Sequence, residues 1–479
     1  MITFDTTKPH CFYFNEIAKI PHGSFNEEAI ADYVVEFAKK RNLKWVRDDM
    51  NNVVVYKPAS KGYEDAKPLI LEAHMDMVCE ANKSTVFDFK KDSLKLKVED
   101  GWLTAEGTTL GADDGTGVAY MLAILDDDTL SHPALECAFT VQEEVGLIGA
   151  LALDPALFTA RRMICLDGGG EVGTAISSAG GCLVESHIPL TFKENHDKTY
   201  RLFVGGLSGG HSGGEIHKEK GNANKLAVRI LKEMNLRGLS FNLVSLDGGL
   251  KDNAIPRECE VIFTSNESMD ALKNSLELSN KDIKTELEFS DAGFEAVIEE
   301  TDQRDKCLDD KTTRKITDYL FLLPNGFRHR SMAIEGLTLT SLNTGIIKTY
   351  DDEILVTSSL RSAMESGVNH LIDTIYTLAA AFGVKCETSA RYPGWNFKAE
   401  SEMRGLLNEV LLKNKGIEAV CHAGHGGCEC GVFAAMSEEM DIITYGPISK
   451  DIHTPDEKLD LESFDRSFKN LKDLISLCK

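Results

Sequence analysis

The sequence predicts an α/β fold: a three-layer domain around a mostly parallel sheet, interrupted by an inserted α+β domain. Three observations carry this. Short apolar strand signals alternate with amphipathic helix signals over the first third of the chain. From about Cys182 the texture shifts to longer alternating strands with Lys/Glu-rich stretches, and after about Thr388 the first texture returns. At 479 residues the chain exceeds one ordinary core. The expected division is therefore 1–184 and 388–479 for the interrupted domain and 185–387 for the insert.

Asn26 to Arg41 reads as a helix: Ile30, Val34, Phe37 and Ala38 share one face, and Glu27 and Glu28 suit its positive N-terminal end. Val53-Val54-Val55-Tyr56 and Pro68-Leu69-Ile70-Leu71-Glu72-Ala73 read as strands. Gly115 to Asp126 is a second helix, with Val118, Met121, Leu122 and Leu125 at helical spacing. Cys137 to Val141 and Arg162 to Leu166 are candidates for buried strands. In the insert, Ser245-Leu246-Asp247-Gly248-Gly249-Leu250 echoes Ser341-Leu342-Asn343-Thr344-Gly345-Ile346. Each has an amphipathic helix nearby, marked by Ala227, Ile230, Leu231 and Met234 and by Ile372, Ile375, Ala379 and Phe382. An internal repeat of α+β units is expected; the competing explanation is chance likeness between short Gly turns. Met403, Leu407, Val410 and Leu411 mark a helix that Gly416 can end, Asp441 to Tyr445 a short strand, and Phe464, Phe468, Leu471 and Ile475 one side of a last helix.

Composition excludes several classes. A formal charge of −24 leaves no cationic excess to neutralise phosphates, which argues against nucleic acid or an anionic membrane as partner. No apolar run approaches a membrane span. Met1-Ile2-Thr3-Phe4-Asp5 lacks the basic and apolar segments of a secretory signal. Twelve scattered cysteines read as reduced thiols of a cytoplasmic protein. Cys428 and Cys430, without a second pair, make a poor zinc signature.

The chemistry sits at the ends of the apolar strands. Leu71-Glu72-Ala73-His74-Met75-Asp76 brings a His and an Asp two residues apart to one side of a strand end, where open α/β sheets bind ligands. His74 could ligate a metal with Asp76 behind it, or be a core His satisfied by its neighbour. Gly111-Ala112-Asp113-Asp114-Gly115 allows close approach to an ion, and one carboxylate can bridge two; the structural alternative is a turn that caps the next helix. Glu143-Glu144 is an acidic pair whose mutual repulsion a cation would relieve, leaving one Glu as ligand and the other as general base. Asp167 ends a fourth strand, and Asp451-Ile452-His453-Thr454-Pro455-Asp456-Glu457 supplies a late His before a rigid turn. Together these form a mixed N/O set that suits zinc, cobalt or manganese. Two ions ~4 Å apart, bridged by a carboxylate and a water, make a hydrolytic device.

This ordered set of motifs resembles the dinuclear-zinc peptidase superfamily that includes aminoacylases and glutamate carboxypeptidases. Gly209-Gly210-His211-Ser212-Gly213-Gly214-Glu215-Ile216-His217 and Asp252-Asn253-Ala254-Ile255-Pro256-Arg257 are most similar to its aminoacyl-histidine dipeptidases. The resemblance implies hydrolysis of dipeptides, Xaa-His and broader, with two divalent ions. His74, Asp113 and Asp167 would hold one, and Asp113, Glu144 and His453 the other. Asp76 would orient His74, and Glu143 would be the base. His211 and Asn253, on an inserted lid, would contact the reacting carbonyl or the substrate backbone, and Arg361 would grip the substrate carboxylate. In some relatives a neighbouring subunit's lid completes the site and in others a duplicated lid half does; a homodimer is expected. Two departures stand out. The segment Cys421-His422-Ala423-Gly424-His425-Gly426-Gly427 offers two histidines, His422 and His425, where the family has one. Gly168-Gly169-Gly170 follows Asp167 where relatives tend to be acidic, which predicts a looser loop. Competing functions are an N-acyl-amino-acid deacylase or desuccinylase on the same scaffold, and a non-catalytic binding protein on a degenerate peptidase fold. A two-metal phosphoesterase lacks a basic phosphate clamp.

Overall fold

The computed structural model describes residues 4–479. Met1, Ile2 and Thr3, on which the signal reading partly rests, lie outside the described residues. Two compact units emerge. One runs to Ser178 and resumes over Gly394–Ala423 and Cys428–Lys479; the other comprises Ala179–Pro393 with Gly424–Gly427.

The first unit is built on a six-stranded sheet in the order Lys44–Arg47, Val53–Lys57, Leu135–Thr140, Leu69–His74, Arg162–Cys165, Asp441–Thr444. The first two pairings are antiparallel and the other three parallel. Every residue of the three central strands is buried, as parallel strands covered on both faces require. Leu69, Leu71 and Ala73 pack with helices Glu28–Lys40, Ala112–Asp126, Glu402–Lys415 and Leu461–Leu477 on one face. Ile70, Ala138, Met163 and Cys165 pack with Phe433 of helix Glu429–Met436 on the other. The helix expected from Gly115 starts earlier by its hydrogen bonds, at Ala112, although Asp113 and Asp114 lie outside helical φ/ψ. Gly416, at φ +71°, ends helix Glu402–Lys415.

The second unit holds a nine-stranded sheet whose order exposes a nested repeat. Lys198–Gly205, Ala223–Leu236, Asn242–Gly248, Cys259–Ser265, Met269–Glu286 and Glu295–Glu300 form a βαββαβ unit with sheet order fourth, first, third, second strand. Gly180–Pro189, Asp310–Leu322, Thr338–Thr349, Glu353–Ser362, Glu365–Phe382 and Lys385–Tyr392 form another with the same order reversed. The first is inserted between the first strand and first helix of the second. The two echoing Gly segments are thus equivalent strands, and they meet at Gly248↔Ile347. The helix pairing expected from sequence needs correction: Ala223–Leu236 corresponds to Asp310–Leu322, whereas Glu365–Phe382 corresponds to Met269–Glu286. The long insertion separates a strand from its own helix, so proximity in sequence misleads.

The expected boundaries at 184/185 and 387/388 also shift. Gly180–Pro189 pairs along its whole length with Glu353–Ser362, which takes Cys182 to Val184 into the second unit. Lys385–Tyr392 pairs with the same strand and takes the residues up to Pro393 with it. Among the described residues the cysteines are free, and no helix is long and apolar enough to cross a membrane.

The seam between the two repeats depends on glycine. Gly249 has φ +80°, and a Cβ there would run into the Gly345 carbonyl oxygen. Gly249→Ala combines a disfavoured φ with a backbone clash, so it should destabilise the protein by at least about 1 kcal/mol. Differential scanning calorimetry should record a lowered melting transition; an unchanged one would mean the seam relaxes freely.

Candidate metal centre

The sheet topology brings the predicted groups of the first unit together. His74 is the last residue of its strand, Glu143 and Glu144 follow Leu135–Thr140, and Asp167 follows Arg162–Cys165. These strands are parallel neighbours with His74↔Thr140 and Glu72↔Cys165 in register, so their carboxyl ends coincide. Asp113 enters from the non-helical first turn of helix Ala112–Asp126, and the Asp113–Asp114 peptide is cis. His453 lies between the short strands Ser449–Lys450 and Lys458–Asp460 at φ +62°, an uncommon region for histidine. Thr454 closes that turn by donating its hydroxyl to Asp451 O at 2.7 Å.

Asp113 occupies the middle. Its Oδ1 lies 3.1 Å from His74 Nε2, and its Oδ2 lies 3.1 Å from His453 Nε2. Glu144 Oε1 is 3.0 Å from the same His453 nitrogen. Ligand atoms of His74, Asp113 and Glu144 all fall within 4.8 Å of one another. His74 Nδ1 donates to the main-chain oxygen of Asp76 at 2.9 Å, which leaves Nε2, facing Asp113, as the nitrogen that could ligate. The Asp76 carboxylate is 3.6 Å from Nδ1 and has other work. It accepts from the backbone N–H of Glu143 at 3.0 Å, that of Glu144 at 3.3 Å, and Ser24 Oγ at 2.8 Å. Residue 76 therefore orients His74 through its carbonyl and the acidic pair through its side chain.

Burial and mutual repulsion dominate the electrostatics of these carboxyls. Burial pushes Asp167 up to about 7, reinforced by the Asp113 charge. Burial likewise holds Glu143 well above the usual carboxylate range, with Asp167, Glu429 and Glu144 adding to it against His74. Burial opposes charge on Asp113 too, but hydrogen bonds from His453 and His74 hold it well below its ordinary value. His453 is raised to about 10 by Asp113 and Glu144. His74 is raised well above its ordinary value: burial opposes this, and Asp113 and Asp76 outweigh it. The donor set, two imidazoles among several carboxylates, fits divalent cations of the zinc, cobalt or manganese kind.

Glu72, Glu429 and Glu457 are buried carboxyls to which the sequence assigned no role. Glu72 sits on the strand that ends in His74, and Glu429 begins the helix on the opposite face. Burial raises both far above the carboxylate range, and Thr140 donates its hydroxyl to Glu429 at 2.6 Å. The available signal was an acid inside an apolar strand run. Glu457 is 2% exposed and accepts from the backbone of the Asp113 turn; its place in the His453 run was the only hint.

The remaining predicted residues belong to the second unit. His211 ends the two-residue strand Gly210–His211, opposite Ala254–Ile255, which puts Asn253 beside it in the pairing. Gly213 and Gly214 donate their N–H groups to His211 Nδ1 at 3.2 Å each, so Nε2 carries the proton. Burial lowers its pKa, helped by Arg361. Arg361 donates to Tyr392 Oη at 3.1 Å, and its Nε is buried without a hydrogen-bond partner. Of the two late histidines, His425 joins this group: its Nε2 is 2.7 Å from Ser341 Oγ, its Nδ1 is buried and unpartnered, and burial and then Arg361 push its pKa down to about 3. His422 is exposed on strand Val420–His422 of the first unit. The Gly168-Gly169-Gly170 loop is pinned where looseness was expected. A Cβ on Gly168 would crowd the Tyr445 backbone, and Gly170 N–H donates to Pro447 O at 3.1 Å.

Comparison with known proteins adds a family. Residues 70–477 match peptidase family M20/M25/M40. The cytosol non-specific dipeptidase of Escherichia coli strain K12 is 35% identical over 473 residues, covering 96% of each chain. The crystal structure of an aminoacylhistidine dipeptidase from Vibrio alginolyticus superposes with a TM-score of 0.90 at 33% identity, covering 98% of this chain and 96% of that one. Aminopeptidase PepT from Bacillus cereus shares the fold at a TM-score of 0.57 and 16% identity, covering 99% of this chain and 100% of its own.

If Asp76 holds the acidic pair through its carboxylate, Asp76→Ala should weaken zinc affinity by ~10–100-fold, the usual scale for groups behind a ligand. Titration of the chelator-treated protein with zinc measures it. Affinity equal to that of the unaltered chain would refute the role.

Proposed function

The chain belongs to peptidase family M20/M25/M40, and from that membership we propose that it is a metal-dependent dipeptidase acting on Xaa-His pairs and on other dipeptides. The observation that carries the metal-centre reading is that the two oxygens of Asp113 face two different histidines. His74, Asp113 and Asp167 would hold one divalent ion and Asp113, Glu144 and His453 the other, with zinc preferred and cobalt or manganese acceptable to the same donors. When bound, such ions would acidify a water and polarise a substrate carbonyl.

The protein groups do the rest. Glu143, raised by burial, takes the proton of the attacking water and delivers it to the leaving amine. Asp76 supports this by fixing the backbone of Glu143 and Glu144. His211, neutral and protonated on Nε2, is a hydrogen-bond donor suited to the developing oxyanion, a role typically worth about 10²–10³ in rate. Asn253 contacts the substrate backbone. Arg361, together with His425, takes the terminal carboxylate; a buried unpartnered Nε and a buried unpartnered Nδ1 support this. The partner is thus a small peptide. Two βαββαβ units within one chain favour the duplicated-half arrangement, so the expected homodimer is an assembly and not a requirement of the chemistry. A cytoplasmic location follows the compartment named for the Escherichia coli relative.

The test is turnover of a dipeptide panel, Xaa-His included, beside N-acyl amino acids, after chelation and reloading with zinc, cobalt or manganese singly. Dipeptide hydrolysis should vanish on chelation and return with metal. Glu143→Ala should lose about 10²–10⁴ in kcat with its zinc stoichiometry intact. Hydrolysis of N-acyl amino acids alone would point to a deacylase, and no hydrolysis with any metal would sink the assignment.

A further inference from the structure

One carboxylate ties together the two loops that carry Asp113 and His453. Glu457 Oε2 accepts from the backbone N–H of Leu110 at 2.7 Å and of Gly111 at 3.0 Å; its Oε1 accepts from Ala112 at 2.8 Å and Asp113 at 3.4 Å. Four successive N–H groups thus converge on a side chain that is 2% exposed. Gly111, at φ +68° and ψ 32°, bends the backbone into the concave form that collects such groups around an anion. Leu110 and Ala112 are buried, so these donors have no recourse to water.

The other end of Glu457 is anchored as well. Its own N–H donates to Thr454 O at 3.1 Å, which closes the turn that begins at His453. The strand Lys458–Asp460 follows directly and pairs with Trp102–Ala105, Leu459 opposite Leu103. The His453 turn is therefore short, closed and fixed at its far end. The residue that fixes it also holds the main chain of Asp113, whose carboxylate oxygen lies 3.1 Å from His453.

We propose that Glu457 is a positioning residue of the metal centre: it clamps the Asp113 turn to the His453 turn, so that both ligands stand ready before any ion arrives. This rests on the metal-centre reading given above. A group that only completes the fold would affect melting and nothing else. A clamp between two ligand loops must affect metal affinity, because without it the ligands are ordered only when the ion binds.

The test uses zinc alone, titrated into the chelator-treated full-length chain against a chromophoric chelator. Glu457→Gln keeps the shape but turns an NH₂ group towards two of the four donors; Glu457→Ala removes the acceptor. Asp456→Asn, an exposed neighbour, is the control. The variants at 457 should bind zinc ~10–100-fold more weakly, with peptide hydrolysis recovering at saturating zinc, and the control should match the unaltered protein. Zinc affinity that is unchanged in Glu457→Gln overturns the clamp whether or not melting falls. Absence of zinc binding by the unaltered chain overturns the metal centre and the clamp with it. Hydrogen exchange of the unaltered, zinc-free chain gives a measurement independent of variant folding. Amides 110–113 should be protected before zinc is added, and exchange at the rate of an open loop would refute pre-ordering.

Discussion

The first unit is organised around the Asp113 carboxylate, held between two imidazoles 3.1 Å away on either side. A carboxylate in that position is stable only while positive charge or donors surround it. The fold brings groups to this carboxylate from several directions. A parallel sheet delivers His74, the Glu143–Glu144 pair and Asp167 to one edge. A closed turn delivers His453, and Glu457 gathers the backbone N–H groups behind Asp113 itself. Remove the register of the central strands and none of these groups would meet. The catalytic reading therefore depends on a packing fact, the full burial of three adjacent strands on both faces.

Much of this edge was legible because the apolar runs are short and each stops at a polar residue of a recognisable kind. Leu69 to His74 and Arg162 to Asp167 announce both a buried strand and its cargo. The work of Glu457 was not legible for a physical reason: its partners are backbone N–H groups more than three hundred positions away, and backbone donors leave no mark in a sequence. The work of Asp76 was half legible. Spacing placed it behind His74, but whether its carboxylate or its carbonyl meets the imidazole is a matter of rotamers, and the carboxylate went to the 143–144 backbone. The two late histidines were equivalent as letters. Only the fold separates His425, beside Ser341, from His422 on an exposed strand.

The second unit shows a different limit. The Gly echo was a true trace of repetition, since both segments are the second strand of a βαββαβ unit. Assigning helices to them failed because one unit is inserted inside the other. Insertion there is tolerable: the first strand of the outer unit is held by hydrogen bonds on both sides, to Glu353–Ser362 and to Lys385–Tyr392, and needs no short connection to its helix. A single apolar cluster then covers helices of both units, with Ile230 and Leu272 from one and Ile316 and Ile375 from the other. Two small units that would each bury little alone share one core.

The carboxyls of the proposed centre share one constraint: Asp113, Glu144, Asp167 and Glu143 lie close enough to repel one another when ionised, and two divalent cations would relieve that repulsion. Glu429 is felt electrostatically by Glu143, and Asp114 by Asp167 and Asp113; Glu72 interacts in turn with Glu429 and Asp114. A further ionised carboxyl there would be a buried charge, which is costly, and burial raises all three well above the carboxylate range. A neutral carboxyl can donate as well as accept, which a carboxylate cannot. The layer behind the proposed ligands is polar enough to hydrogen-bond, as Thr140 does with Glu429. The same residue type could then serve as ligand where a cation would reach it and as hydrogen-bonding support where burial disfavours its charge.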